Sequence, residues 1–194
     1  MMFGFNKHQQ LAGDYDFIIV GAGSAGCVLA NRLSSDGSFR VLLIEAGGRD
    51  SSFKFRIPLM VVHLLRDERV TWPFVTEPQV HLNNRPQLWT RGKVLGGSSS
   101  INGNVYVRGD PAEYDSWGFP GWSYAGLLPY FKRMEDFPQG DPTKRGHGGP
   151  IGVTALENFD ALADAYLDAC QQAGYERPAD YNDGSYEGAA YLQY

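Results

Sequence analysis

Gly21, Gly23 and Gly26 stand in the spacing GxGxxG, directly after the apolar run Phe17 to Val20. Such a turn can take a pyrophosphate. Its first glycine permits a tight exit from a strand, the second lets phosphates come up to the backbone, and the third lets the next helix pack close. The N-terminus of that helix offers unsatisfied N–H groups and a partial positive charge to the anion. Glu45 follows about twenty residues on, at the end of a second apolar run, where an acid can accept hydrogen bonds from the ribose hydroxyls of an adenosine. Glycine-rich turns alone are common. Strand, glycines, helix, strand and acid in that order read as a dinucleotide site, and they leave FAD and NAD undecided.

A second set lies in "RGKVLGGSSSIN", Arg91 to Asn102, where Gly96 and Gly97 precede Ser98, Ser99 and Ser100. Gly/Ser composition suits a flexible linker. The flanks "RPQLWT" and "NVYVRG" are rich in aromatic and β-branched residues instead, so something must come close to this backbone. Other reactive types are sparse. His8, His63, His81 and His147 show no metal-ligand spacing, and no metal site is expected. Trp72, Phe74 and Trp89 could wall a pocket, although aromatics at extended spacing more often belong to a core. Cys27, on the first expected helix, reads as a small buried hydrophobe.

These groups need elements to hold them. Phe17 to Val20 reads as a strand buried on both faces, and "FRVLLIEAG" as a second one. Between them Ala25, Val28, Leu29 and Leu33 recur at helical spacing. Together they predict a βαβ unit with parallel strands and a right-handed crossover, the start of an α/β, Rossmann-like FAD/NAD(P)-binding fold with a parallel sheet. Farther on, Pro58 can open a short helix, and the prolines of "TWPFVTEP" keep that stretch extended. Asp110 and Pro111 mark a helix start, with Glu113 in reach as reciprocal partner. Leu127, Leu128, Phe131 and Met134 share a helix face that Pro129 should kink. "GHGGPIGVTAL" turns into a short strand, "FDALADAYLDACQQ" forms a helix closed by Gly174, and the final "GAAYLQY" reads as the start of a strand with an unpaired edge. The sequence divides into a polar lead (1–14), a cofactor-binding region (15–155), and a helix–strand segment (156–194) that begins an α+β substrate domain. The fold is read as incomplete and the chain as truncated.

Composition excludes several classes. The chain has 194 residues, 43% hydrophobic and 20% charged, which is ordinary globular usage. A chain of this size can bury about 70% of its unfolded surface. A net charge of −5 without a Lys/Arg cluster argues against nucleic acid and against an anionic membrane surface. No apolar run is long enough to span a bilayer, and the N-terminus lacks the apolar core of a signal peptide. Two cysteines make neither a disulfide framework nor a zinc ribbon, so a cytoplasmic setting is expected.

From Tyr15 onward the chain resembles the glucose-methanol-choline (GMC) oxidoreductases. The resemblance rests on "DFIIVGAGSAGCVLANRLS", the "EAGG" after the second strand, "TEPQ" at 76–79, "GKVLGGSSSINGNVYVRGDPAEYD" from Gly92 to Asp115, and "LLPYFKRME" at 127–135. It implies FAD as cofactor, with Ser24 and Ala25 at the pyrophosphate, Glu45 at the ribose, and the loop Gly96–Val105 around the flavin. Gly96 and Gly97 would let the ring lie against backbone. Ser98 would donate to a phosphate or flavin oxygen, and the backbone N–H groups of Asn102, Gly103 and Val105 would face the electron-rich edge of the ring. Where some relatives attach the flavin through a histidine, this chain has Ile101, so non-covalent FAD is expected. The implied reaction is oxidation of a CH–OH donor, a small alcohol, with hydride passing to flavin N5 and an unassigned electron acceptor. No position matches the family's catalytic histidine motif, so no catalytic residue is named, and the chain by itself is expected to be inactive. A cofactor-binding fragment without turnover and an NAD-linked dehydrogenase remain the alternatives.

Overall fold

A computed structural model describes residues 13–156 and 160–194. Most of the polar lead with His8, and Phe159 at the head of the last expected helix, lie outside the described residues. The chain forms two compact units, Met1–Gly103 and Asn104–Tyr194, a division that runs through the region 15–155.

In the first unit β1 (Phe17–Val20) pairs in parallel with β2 (Val41–Ile44), Phe17 opposite Val41 and Val20 opposite Ile44. Helix α1 (Ser24–Ser34) connects them, which gives the expected βαβ start of a partial Rossmann-like fold. Two features differ from the sequence reading. The strands are not buried on both faces, since Ile18 is 61% and Val20 82% exposed. Among the described residues the sheet has two strands, and α1 covers one face. The stripe of α1 that meets this sheet is shifted from the expected one: Ala25, Val28 and Leu29 are exposed, while the expected Leu33 turns inward together with Gly26, Cys27 and Ala30. The smallest side chain, at Gly26, sets the distance of approach, so the helix rotates to put that residue on the sheet.

A 3-10 turn at Pro58–Met60 leads into α2 (Val61–Leu64). Leu64, Val94 and Ile101 form a buried apolar cluster, with Phe55 and Val70 packed on it. Strands β3 (Thr71–Val75) and β4 (Leu88–Gly92) make an antiparallel hairpin in which Pro73 stands opposite Thr90. The aromatic residues of this hairpin are surface residues, not core. Trp72 and Phe74 stack with ring centroids 6.1 Å apart. Phe74 and Trp89 wall an open cavity of about 460 Å³ together with Gln79, Leu82 and Gln87.

The second unit starts with α3 (Pro111–Ser116), where the Asp110 carboxylate accepts from the Ala112 N–H at 2.9 Å. Helix α4 (Tyr124–Met134) runs on through Pro129. Tyr114 meets Trp117 and Phe131 edge-on between these helices, at 5.0 and 5.7 Å. Short parallel strands β5 (Glu135–Asp136) and β6 (Ile151–Gly152) follow, then α5 (Ala161–Gln172), capped by Asp160 and ended by Gly174 at φ +91°. The last residues are paired, contrary to the expected free edge. Thr154 and Tyr194 exchange backbone hydrogen bonds of 2.7 and 3.0 Å, because the turn after β6 presents a complementary strand edge.

Strand pairing is short in this unit, and its centre is ionic. Glu135 and Arg145 are fully buried, and Arg108 is 4% exposed. Glu135 accepts from Arg108 Nη2, from Arg145 Nε at 2.9 Å and from the Gly146 N–H at 2.6 Å. Arg145 Nη1 also reaches the Asp180 carboxylate at 2.6 Å, and its guanidinium lies 4.1 Å from the Phe137 ring centroid. Two arginines thus face two acids with little water, an arrangement in which each charge depends on the others. Burial raises the Glu135 carboxyl, but the hydrogen bonds from Arg145 and Gly146 and the charge of Arg108 outweigh it and hold the group below its ordinary value. Burial and the adjacent Glu135 push the Tyr106 phenol up to about 12.

A carboxyl depressed by folding stabilises the native state above its unfolded pKa, about 4.3 for Glu, and that stability is lost as pH falls through the lower folded value. Glu135→Gln leaves two buried guanidinium groups with Asp180 as their remaining acid, which costs about 3–5 kcal/mol. The expected result is a lower thermal midpoint at neutral pH and a shallower loss of stability below about pH 4 than in the wild type. Equal denaturation profiles for the two proteins would contradict the ionic core.

Candidate dinucleotide site

The turn between β1 and α1 is set by the first and third glycines. Gly21 leaves the strand at φ +93°, where a side chain is strained, and its N–H donates to the Ile44 carbonyl at 2.7 Å. A Cβ on Gly26 would overlap the Gly21 carbonyl oxygen and press on Ile19 at 3.3 Å. Gly23 is different. Its φ of −78° suits any residue, and a Cβ there would meet nothing within 4 Å. The internal packing of the unit therefore gives no reason for a glycine at this position, which sits at the N-cap of α1. The first N–H groups of the helix, from Ser24 on, have no intrahelical acceptor, and no acidic side chain occupies the first turn.

Glu45 fixes the other side of this turn. Its Oε2 accepts from the Ala22 N–H and its Oε1 from the Gly47 N–H, both at 2.8 Å. Each oxygen keeps a second lone pair free for a hydroxyl donor. The acid that the sequence reading assigns to a ribose is thus also a clamp between the two strand ends.

The serine loop meets the same turn. The Gly96 N–H donates to the Ala22 carbonyl at 2.7 Å. Gly97 sits at φ +62°, and a Cβ on it would lie 2.8 Å from the Gly23 Cα. Gly47 and Gly92 take part unforeseen. A Cβ on Gly47 would overlap the Lys93 carbonyl, and one on Gly92 the Gly97 carbonyl. The signal for them was present in "EAGG" and "RGKV", where glycines flank the functional residues. Next to them the Leu95 N–H bonds the Gly48 carbonyl at 2.9 Å.

The three serines divide their work. Ser99 Oγ donates to the Gly96 carbonyl at 2.6 Å and Ser100 Oγ to the Leu95 carbonyl at 2.9 Å. Ser98 Oγ accepts, from the Gly92 N–H at 3.0 Å, which leaves its own hydrogen to donate elsewhere. The structure thus brings Gly21, Gly23, Ser24, Ala25, Gly26, Glu45, Gly96, Gly97 and Ser98 into one neighbourhood. Asn102 and Gly103 are exposed at the end of the same unit, and Val105 belongs to the second unit. The Ile101 side chain is buried with Leu64 and Val94. Cys27 is half-buried, its Sγ 3.3 Å from the Ala22 carbonyl. Among the described residues, no group of three or more His, Cys, Asp or Glu could hold a metal ion.

Comparison with known proteins gives a consistent picture. A profile of the GMC oxidoreductases matches residues 15–194. An oxygen-dependent choline dehydrogenase of Photobacterium profundum is 49% identical over 179 residues, 90% of this chain and 32% of the relative. The chain therefore spans about a third of the length of the curated relatives it matches. Pyridoxine 4-oxidase from Mesorbium loti superposes with a TM-score of 0.82 at 36% identity, over 88% of this chain and 34% of that one. An FAD-dependent oxidoreductase from Chaetomium thermophilum superposes with a TM-score of 0.78 at 33% identity, over 93% and 33% of the two chains. With the βαβ turn, the acid clamp and the glycine–serine loop all in the stretch that is matched, the chain belongs to the GMC oxidoreductase family.

Proposed function

We propose that this chain is the FAD-binding part of an oxidoreductase that acts on the CH–OH group of a small alcohol. The observation that carries the reading is Gly23, a glycine with open space where its side chain would be, at the head of a helix whose first turn holds no acid. A pyrophosphate is an anion that needs this access. Ser24 and Ala25 would offer it backbone N–H groups, Glu45 would accept from the ribose, and Gly96 and Gly97 would let the flavin lie against the loop. Ser98 would donate its uncommitted hydrogen to a phosphate or flavin oxygen, and Asn102, Gly103 and Val105 would present backbone N–H groups to the ring. These residues fit the cofactor by size and by hydrogen-bonding sense. When bound, FAD supplies the acceptor for hydride from the alcohol carbon at flavin N5. Attachment would be non-covalent, since Ile101 offers no nucleophile and lies in the apolar cluster.

The relatives support this reading by their named activities, choline dehydrogenase and pyridoxine oxidase. No residue is assigned as general base, and the electron acceptor is likewise unassigned. The free thiols of Cys27 and Cys170 suit a reducing, cytoplasmic setting. No helix among the described residues is long and apolar enough to cross a membrane.

Gly23→Val tests the assignment. The variant should keep the wild-type thermal midpoint, because its side chain enters open space, and lose FAD affinity by about tenfold or more, equivalent to at least 1.4 kcal/mol. An unchanged FAD dissociation constant, read by flavin fluorescence, would sink the reading. The serines give a second test. Ser98→Ala removes a donor to a charged or polar group, about 1.5–3 kcal/mol, and should weaken FAD binding by roughly tenfold or more. Ser99→Ala and Ser100→Ala remove only bonds internal to the loop and should change affinity by about twofold or less, a few tenths of a kcal/mol.

A further inference from the structure

The second unit holds a polar cluster that the proposed reaction does not use, and Asn182 is at its centre. Asn182 is 2% exposed. Its Oδ1 accepts from the Arg108 N–H at 2.8 Å, and its Nδ2 donates to the Tyr106 carbonyl at 3.0 Å. In an extended chain the C=O of one residue and the N–H of the residue two places on point to the same side. They are the pair that a neighbouring strand would engage. One side-chain amide thus stands in for a strand alongside residues 106–108. The Gln193 carbonyl continues the edge by accepting from the Tyr106 N–H at 2.8 Å, and the Tyr181 hydroxyl donates to the Tyr106 carbonyl at 2.9 Å.

The amide is itself fixed in one orientation. Nδ2 faces two acceptors, the Tyr106 carbonyl and Gln193 Oε1 at 2.9 Å, and the Asn182 N–H donates to Asp180 Oδ1 at 2.9 Å. Gln193 Oε1 also accepts from Arg145 Nη1 at 3.0 Å, and Gln193 Nε2 donates to Asp180 Oδ1 at 2.9 Å. The Arg108–Glu135–Arg145–Asp180 ion cluster therefore holds Gln193 and Asp180, and those two hold Asn182.

We propose that Asn182 is a positioning residue for the cofactor, setting the backbone of Tyr106–Arg108 and through it the Val105 peptide that follows the glycine–serine loop. This rests on the assignment of Val105 to the flavin under the proposed function. Asn182 acts in this role on main-chain atoms of 106 and 108, while the Arg108 guanidinium helps to hold it by donating to the Asn182 carbonyl at 3.3 Å. No hydride or proton passes through it.

The test uses the whole 194-residue chain, FAD as the probe, and Asn182→Asp, which keeps the shape and the acceptor but loses the donor. At about pH 8 the new carboxylate would face the Tyr106 carbonyl and Gln193 Oε1 as a third acceptor, near Asp180 and with the guanidinium of Arg108 on its other side. FAD affinity should fall about tenfold or more, because both Nδ2 hydrogen bonds are lost and their buried acceptors are left unsatisfied. A carboxyl among acceptors titrates high. On lowering the pH to about 5 its proton restores one of the two donors, and the ratio of variant to wild-type affinity should rise part of the way toward one. Glu135, Asp180, Arg108, Arg145, Tyr106 and Tyr181 surround the position in both proteins, so the ratio removes their own titration. A general loss of structure would give no such recovery, and circular dichroism at both pH values monitors it. If wild type binds FAD and the variant binds equally at about pH 8, or with the same deficit at both pH values, the positioning role is overturned while the FAD assignment stands. If wild type itself shows no FAD binding, the proposed function falls and this inference with it.

Discussion

Everything in the first unit depends on how closely two backbones can approach. The Gly96 N–H reaches the Ala22 carbonyl at 2.7 Å, and Gly97 lies so close to the Gly23 Cα that residue 97 itself has no room for a Cβ. Interiors pack without slack, so a single methyl at 97 or 26 would push these segments apart. The glycines at 47 and 92 extend the same condition to the end of β2 and of β4. The glycine turn after β1 is therefore one face of a small assembly of bare backbone from the start, middle and end of the unit. Its stability comes from backbone hydrogen bonds and the Glu45 carboxylate; the buried apolar cluster, Leu64, Val94 and Ile101, is small.

The second unit solves the same problem by the opposite means. It has few paired strand residues and draws together distant stretches with long charged side chains. Buried ion pairs are poor sources of net stability but strict about partners. Arg145 must satisfy Glu135, Asp180 and Gln193 at once, and few alternative packings could do so. Gln87 Nε2 and Arg108 Nε, which are buried without a hydrogen-bond partner, show that satisfaction is not complete in either unit.

How much of this could be read from the chain varied with the kind of interaction. Gly21 and Gly26 were legible because a turn and a close helix demand glycine at fixed offsets, and both demands are visible in the geometry. The inward face of α1 was not. Hydrophobic periodicity pointed to Val28 and Leu29, but the closest approach of helix to sheet favoured the small residues in line with Gly26. The serine run announced a special loop without saying which hydroxyl was uncommitted, because that depends on which carbonyls the loop turns back on. Arg145 and Glu135 were invisible: a lone arginine in "KRGHGGP" reads as surface, and only the fold brings an acid ten residues earlier against it.

Under the proposed function, the Glu45 clamp bears on the timing of cofactor capture. Both of its oxygens bond backbone N–H groups of the turn and of the end of β2, so folding of the unit itself orders these loops and carries their conformational-entropy cost. On that reading a dinucleotide would meet a preformed surface and need not wait for a rare open state. Such sites bind without the penalty that fractional population of a competent state imposes, and their association is governed by encounter and orientation. On the proposed reading, this would place the control of FAD occupancy on the rate of departure.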